Sequence, residues 1–230
     1  MKIAIIGAMQ EEVEKLKSAL INQQQIKHNY LEVFTGNLSH HEIFLVQSGI
    51  GKVAAAVATS ILIQSFKPDL VINTGSAGGF DPDLNIGDIV VADSLAHHDA
   101  NVTSFGYELG QLPAMPSQFV ADANFSRVAF DAAKNLKDVT VKTGLICSGD
   151  QFVCDDKTAS KIQENFPSMK AVEMESAAIA QCCHMMDTPF VIIRSLSDIA
   201  GKTSTISFEQ YLVTAAENSA RLVLSMIDAI

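Results

Sequence analysis

Carboxylates recur in this chain where apolar runs give out. Glu11 and Glu12 follow the run from Ile3 to Gly7, Ala8 and Met9. Glu173 and Glu175 follow Ala171-Val172, and Asp198 follows Phe190-Val191-Ile192-Ile193, beyond which stand Arg194 and Ser197. Two further runs end in Gly75-Ser76-Ala77-Gly78-Gly79 and Ser148-Gly149-Asp150-Gln151-Phe152. If these runs are strands of an open α/β sheet, their carboxyl ends are where a ligand binds. The pocket would then hold carboxylates, glycines, a hydroxyl and one arginine, a set suited to acid–base work on a neutral substrate.

Each feature also has a plain structural reading. Glu12 alone is a first-turn acid favoured by the helix dipole. The Gly75–Gly79 run is turn chemistry, or a place where a ligand approaches the backbone closely. Glu173 and Glu175 are harder to dismiss, because residues two apart on a strand share a face and paired carboxylates need a partner. Arg194 and Asp198 interrupt an apolar strand, where a structural ion pair competes with function. Taken together, the constellation reads as a site, since perturbed charges cluster at function. Gly7-Ala8-Met9 lacks the G-x-G-x-x-G pattern, which counts against a dinucleotide site. His97-His98-Asp99 has ligand residue types without ligand spacing, and Cys182-Cys183-His184 lies in an apolar helix, so neither metal nor cofactor is expected.

Arginine usage separates two reactions. A phosphorylase must hold an anionic nucleophile, normally with guanidinium forks. The arginines here are Arg127, Arg194 and Arg221, and only Arg194 falls near the strand ends. One arginine among Glu12, Glu173, Glu175 and Asp198 is a poor phosphate trap, so water is the better nucleophile.

The elements that must position these residues follow from periodicity. Continuous β-branched runs predict strands at 2–7, 69–74, 88–94, 140–147, 170–175 and 189–197, with two more within 30–48 around Gly36-Asn37. Helical spacing places helices after Glu11, after Gly51 up to Pro68, and over about 118–135, 156–165, 176–186 and 207–228. The last is expected to open on Ser207-Phe208-Glu209-Gln210, which has capping-box spacing. Alternating strands and helices imply one α/β domain over residues 1–230, with a mainly parallel or mixed sheet between helical layers. Residues 97–119 break the rhythm yet carry Phe105, Tyr107, Leu112, Pro113, Met115 and Pro116. Such a loop is either a surface Ω-loop or an interface that a partner subunit covers.

A net charge of −10, with no basic cluster, argues against nucleic acid as a partner. No apolar stretch approaches the ~20 residues of a membrane span, and the first strand is too short for a signal peptide. Cys147, Cys154, Cys182 and Cys183 follow no disulfide or metal spacing. These features lead us to expect a soluble, cytoplasmic protein with reduced, mostly buried thiols.

Seven blocks carry a family resemblance: IIGAMQEEV at the start, SGIGKVAAA at 48–56, VINTGSAGGF at 71–80, HHDANVTSFGYELGQ at 97–111, GLICSGDQFV at 144–153, AVEMESAAIA at 171–180 and PFVIIRSLSDIA at 189–200. The sequence resembles the bacterial 5′-methylthioadenosine/S-adenosylhomocysteine nucleosidases of the purine nucleoside phosphorylase superfamily. The resemblance implies a three-layer α/β/α fold with a mixed central sheet, a homodimer, and a 5′-thioadenosine nucleoside as substrate. It implies that Glu12, aided by Ser76 and Arg194, activates water, and that Asp198 protonates purine N7. Met174 and Glu175 would hold the ribose, Glu175 by its hydroxyls, and Ala77 and Gly78 would belong to the substrate-binding set. Phe152 would stack on adenine, with the Val153 backbone reading its edge and Ser197 nearby. Met9, Ile50 and Phe208 would line the 5′-alkylthio pocket, with Phe105 and Pro113 reaching into the neighbouring subunit's pocket. Departures from the family pattern are Gln10, Ser195 and the stretch Gly201-Lys202-Thr203-Ser204, which bears on how the site closes.

Overall fold

The computed structural model of the chain describes residues 1–28, 30–136, 138–200 and 204–230, with the side chains of 204–206 left aside. In chain order the elements are β1 (Lys2–Gly7), α1 (Gln10–Ala19), β2 (Ile21–His28), β3 (Leu31–Leu38), β4 (His41–Gln47), α2 (Lys52–Phe66), β5 (Leu70–Gly79) and β6 (Ile89–His97). A single 3₁₀ turn (Thr103–Phe105) precedes β7 (Phe119–Val120), α3 (Ala123–Ala133), β8 (Val141–Ser148) and α4 (Asp156–Asn165). The chain finishes with β9 (Met169–Glu173), α5 (Ser176–Met185), β10 (Phe190–Ile199) and α6 (Ser204–Ala229).

All the strands join one mixed sheet, ordered β10-β6-β8-β9-β5-β1-β4-β3-β2 with β7 on β6. Because β10 and β9 both also pair with β5, the sheet curls and closes through β5-β10-β6-β8-β9. Alternation along β1 shows the layering. Ala4 and Ile6 pack with Ala55, Ala58 and Leu62 of α2 and with Ile179 and Cys183 of α5. Ile3 and Ile5 face the other way, towards Val13 and Leu16 of α1, Ala129 of α3 and Leu222, Val223 and Met226 of α6. Helices therefore cover both faces, and strands buried on both sides read as unbroken apolar runs. The three-layer α/β/α arrangement with a mixed sheet agrees with the sequence reading. No helix among the described residues is long and apolar enough to cross a membrane.

Several boundaries differ from expectation, each for a physical reason. Strand β2, INQQQIKH, is an edge strand with almost every residue exposed, so it has no apolar periodicity to read. Helix α3 starts at Ala123 because Asp122 caps it, accepting from the N–H groups of Asn124 (2.9 Å) and Phe125 (3.0 Å), while Phe119 and Val120 pair with β6. Helix α6 begins at Ser204, so Ser207 lies inside it and is not its cap. Of the stretch 201–204, residues 201–203 lie outside the described residues.

The most consequential difference is in β5. Its ladder continues through Gly75-Ser76-Ala77-Gly78-Gly79 to pair with β10 and β9, where turn chemistry was one of the two readings. Gly75 lies between two charged side chains: a Cβ there would stand 2.3 Å from Arg194 Nη1 and 2.6 Å from Glu12 Oε1. The glycine makes a strand thin enough for both to press on it. Gly75→Ala is therefore expected to lower stability by about 1–3 kcal/mol, the scale of core overpacking. A urea denaturation series checks this, and an unchanged midpoint would show that the neighbours give way freely.

Candidate active site

The carboxyl ends of β1, β5, β9 and β10 open on one cavity of about 250 Å³, the scale of a small-molecule site. Met9, Glu12, Ile50, Ser76, Ala77, Gly78, Phe152, Met174, Glu175, Ser197, Asp198 and Phe208 line it together, as do Ala8, Val172 and Glu173. Four of the residues named from the sequence are not among the lining residues. Arg194 lies behind the wall with 1% of its surface exposed. Val153 packs in a satellite core with Ala159 and Ile162 of α4. Phe105 and Pro113 sit on the long loop away from this cavity, and Phe105 is 81% exposed.

Glu12 is the third residue of α1, and its carboxylate reaches back over the helix start. One oxygen accepts from the backbone N–H groups of Ala8 (2.8 Å) and Met9 (3.1 Å). The other accepts from the N–H of Ser76 (2.9 Å) and from its hydroxyl (3.0 Å). The local helix signal in the sequence and the long-range contact with β5 thus serve one group. A carboxylate so held at the pocket wall can take a proton from a bound water without first reorganising.

Glu173 and Glu175 do not share a strand face, contrary to the sequence reading. Strand β9 ends at Glu173, and Glu175 is the N-cap position of α5, at φ −132° and ψ −40°. The change of backbone gives the two carboxyls different N–H donors, while Arg194 Nη2 pairs with both. Glu173 accepts from Ser148 Oγ, Ser176 Oγ, the N–H groups of Glu175 and Ser176, and Arg194 Nη2. Glu175 accepts from the N–H of Gly51 at 2.8 Å, the start of α2, where φ of +96° calls for glycine. Arg194 Nη2 is 3.5 Å from its second oxygen. Burial, and then the charge of Glu173, push the Glu175 carboxyl up to about 8.

Arg194 is held on every side by protein. Its Nη2 donates to Asn73 Oδ1 (2.8 Å) and Ser176 Oγ (3.0 Å) besides Glu173, its Nε to Ser176 Oγ (3.2 Å), and its Nη1 to the Ser76 carbonyl (3.4 Å). The structural ion pair weighed against function in the sequence is present, with Glu173 and, at 3.5 Å, Glu175 as partners.

Asp198 owes its position to a bulge. The β5–β10 register runs from Leu196 opposite Ala77 to Asp198 opposite Gly78, leaving Ser197 extra. A bulge breaks side-chain alternation, which is how the adjacent Ser197 and Asp198 both reach the cavity. The Ser197 hydroxyl donates to Asp198 Oδ1 at 2.9 Å. Leu196 is tied on its other side to the backbone of Gly87 (2.7 Å) and Asp88 (2.8 Å), which steadies the strand before the bulge. Phe152 and Phe208 meet edge to face at the mouth, with ring centroids 5.5 Å apart.

The remaining motifs have structural partners in part, with His97 Nδ1 and His98 Nε2 buried without a hydrogen bond. His97 Nε2 pairs with Gln181 at 2.9 Å, and Asp99 holds Lys52 Nζ (2.6 Å) and the N–H of Asp150 (3.0 Å). The four cysteines are free thiols, of which Cys147 and Cys183 are buried and Cys154 is exposed. Ala8 and Val172 line the cavity without having been expected there, because their side chains offer no polar group to mark them. Asn73, Ser148 and Ser176 act through polar contacts across the fold, for which local spacing gives no sign.

Comparison with known proteins agrees with this architecture. Residues 2–228 match the model of the Phosphorylase superfamily. The chain is 50% identical to the 5′-methylthioadenosine/S-adenosylhomocysteine nucleosidase of Tolumonas auensis over 227 residues, 99% of each chain. It superposes on the corresponding nucleosidase of Colwellia psychrerythraea, solved in complex with adenine, with a TM-score of 0.98 and 50% identity, covering 100% of this chain and 95% of that one. The Neisseria meningitidis nucleosidase, solved with methylthio-immucillin-A, gives a TM-score of 0.97 at 44% identity, covering 100% and 99%. The chain belongs to the Phosphorylase superfamily and, within it, to the family of 5′-methylthioadenosine/S-adenosylhomocysteine nucleosidases.

Proposed function

We propose that this protein hydrolyses the N-glycosidic bond of 5′-methylthioadenosine and S-adenosylhomocysteine, releasing adenine and the 5′-thio-ribose product. The observation that carries hydrolysis over phosphorolysis is the disposition of Arg194. Its guanidinium is taken up by Glu173, Asn73, Ser176 and the Ser76 carbonyl, while the carboxylate of Glu12 lines the cavity. An anionic nucleophile would meet a carboxylate there and no available fork.

In this reading, the C1′–N9 bond breaks with its electron pair passing to adenine, and Asp198 delivers a proton to N7. Water attacks C1′ and gives its proton to Glu12, aligned through Ser76. The two carboxyls end in exchanged states and re-equilibrate with solvent. Arg194, behind the wall, is assigned a supporting role and not direct contact with water. Glu175 would hold the ribose hydroxyls next to Met174 and stabilise the positive charge that builds on the sugar as the bond breaks. Phe152 gives adenine an apolar face, the buried Val153 backbone beside it would read the edge of the base, and Met9, Ile50 and Phe208 supply apolar surface for the 5′ substituent.

The one sheet running through the described residues supports reading 1–230 as one domain. We also infer a homodimer. Exposed Val53 and Met185 line a groove with Ala100 and Leu112, and Val57 and Phe105 are exposed as well, apolar surface that a partner subunit would cover. Phe105 and Pro113 would then serve the neighbouring subunit's pocket. Four free thiols suit a reducing, cytoplasmic setting.

Three outcomes test this reading. Chromatographic assay of methylthioadenosine is expected to show adenine release at equal rates with and without phosphate, with free methylthioribose as the sugar product, and Glu12→Gln to abolish release while nucleoside still binds. Ribose-1-phosphate chemistry requiring phosphate would overturn it. Asp198→Asn is expected to lower kcat by about 10²-fold or more, as for loss of a general acid; a change in KM alone would make Asp198 a binding residue. For Glu175 the sign is set by its raised value. The folded protein holds a proton that the unfolded chain has released, so that contribution to stability is lost as pH rises towards and through about 8. The Tm of the parent is therefore expected to fall relative to Glu175→Gln between pH 5 and pH 9, and parallel Tm curves would refute a raised Glu175 carboxyl.

A further inference from the structure

Asp198 stands on a strand that leaves its regular ladder just before it. On the β6 side, β10 is in register only from Ile193 opposite Val91 to Ser195 opposite Ile89. A clasp then takes over: Gly87 donates its N–H to the Leu196 carbonyl (2.7 Å), and Leu196 donates its own to the Asp88 carbonyl (2.8 Å). The bulge at Ser197 follows at once, and the Asp198 carboxyl lies over Gly78, where a Cβ would stand 3.2 Å from Oδ2. The backbone at the bulge thus takes its place from β5 on one side and from the clasp on the other. Two sets of contacts hold the clasp. The Asp88 carboxylate accepts from the N–H groups of Asn85 (2.7 Å) and Thr140 (2.8 Å). Gly87, at φ +91°, accepts at its carbonyl from Asn218 Nδ2 of α6 (3.0 Å) and from Ser195 Oγ (3.1 Å). Asn218 is half-buried and is not among the cavity-lining residues. Its neighbour Ser219 bonds Thr74 and accepts from the N–H of Gly75. Consecutive residues of α6 therefore fasten the strands that carry Asp198 and Ser76.

We propose that Asn218 is a positioning residue for the reaction: through the Gly87 carbonyl it fixes the clasp on Leu196, and with it the place of the Asp198 carboxyl against the base. The inference rests on the hydrolase reading above and extends it to a residue outside the cavity. Ser195 belongs to β10 and moves with it, so the amide of Asn218 is what fastens the Gly87 peptide to a separate element. Without that amide the clasp keeps only its tie through Asp88, and the strand gains freedom at the residue before the bulge. Delivery of a proton to N7 depends on placement, and a shift of about 1 Å at a reacting group can cost about 10²-fold in rate. A loosened clasp therefore weakens what Asp198 does at N7 and spares contacts made elsewhere in the pocket.

The test compares Asn218→Ala with the parent, using two bases that differ only at the atom Asp198 would contact. Adenine offers N7 as an acceptor, and 7-deazaadenine has a C–H in its place. Calorimetric titration of Asn218→Ala is expected to show adenine bound about tenfold more weakly and 7-deazaadenine within about twofold of the parent, the scale of one hydrogen bond. With methylthioadenosine, kcat is expected to fall about tenfold while KM changes by less than about threefold. Asn218→Leu, which keeps the bulk and loses the amide, stands in with the same expectations if the alanine variant does not fold. A folded variant that keeps the parent's preference for adenine would overturn the proposal. Equal weakening of both bases would do so too, since it would make Asn218 a general support of the pocket. A parent that binds the two bases alike would remove Asp198 from N7, and the positioning role with it. Absence of methylthioadenosine turnover in the parent would instead count against the hydrolase reading, leaving the comparison of bases to judge Asn218.

Discussion

A guanidinium shut off from water is the constraint around which this molecule is organised. Arg194 is 1% exposed, and a charge so placed costs several kcal/mol unless partners surround it. Those partners come from across the fold: Asn73 and Ser76 on β5, Glu173 at the end of β9, and Ser176 on α5. Satisfying one side chain therefore ties β5, the end of β9 and the start of α5 to one point. The same elements carry Ser76, Glu175 and, on the strand of Arg194 itself, Asp198.

Close approach is the second half of the same requirement. For Arg194 and Glu12 to share the end of β5, the strand between them can bear no side chain, and Gly75 meets that need. Helix α6 reinforces the point from behind, where Ser219 bonds Thr74 and accepts from the N–H of Gly75. On β10 the bulge at Ser197 turns two successive residues into the cavity. A regular ladder would have sent one of them into the core. The site is thus made where the sheet departs from regularity, and the departures are held by polar contacts to neighbouring elements.

The unequal treatment of Glu173 and Glu175 illustrates how function follows from this packing. The two share residue type and near position, yet one is surrounded by donors and the other is left with a raised carboxyl facing the cavity. Their division of labour depends on the backbone turning from strand to helix between them, which supplies the N–H groups that only Glu173 collects.

What could be read in advance was whatever depends on near neighbours in the chain. Apolar runs at β1, β5 and β10 named the strands, and residues at their carboxyl ends named most of the cavity lining, because a sheet buried on both faces leaves charge only at its ends. The scarcity of arginine already favoured water over phosphate. What needed the folded chain was pairing over distance: the exposed edge strand β2, with no pattern to betray it; the run Gly75–Gly79 as strand and not turn; the withdrawal of Arg194 behind the wall; and the separation of Glu173 from Glu175. Each turns on which group lies opposite another across the sheet, and electrostatic partners chosen at that range leave no periodic mark on the residues beside them.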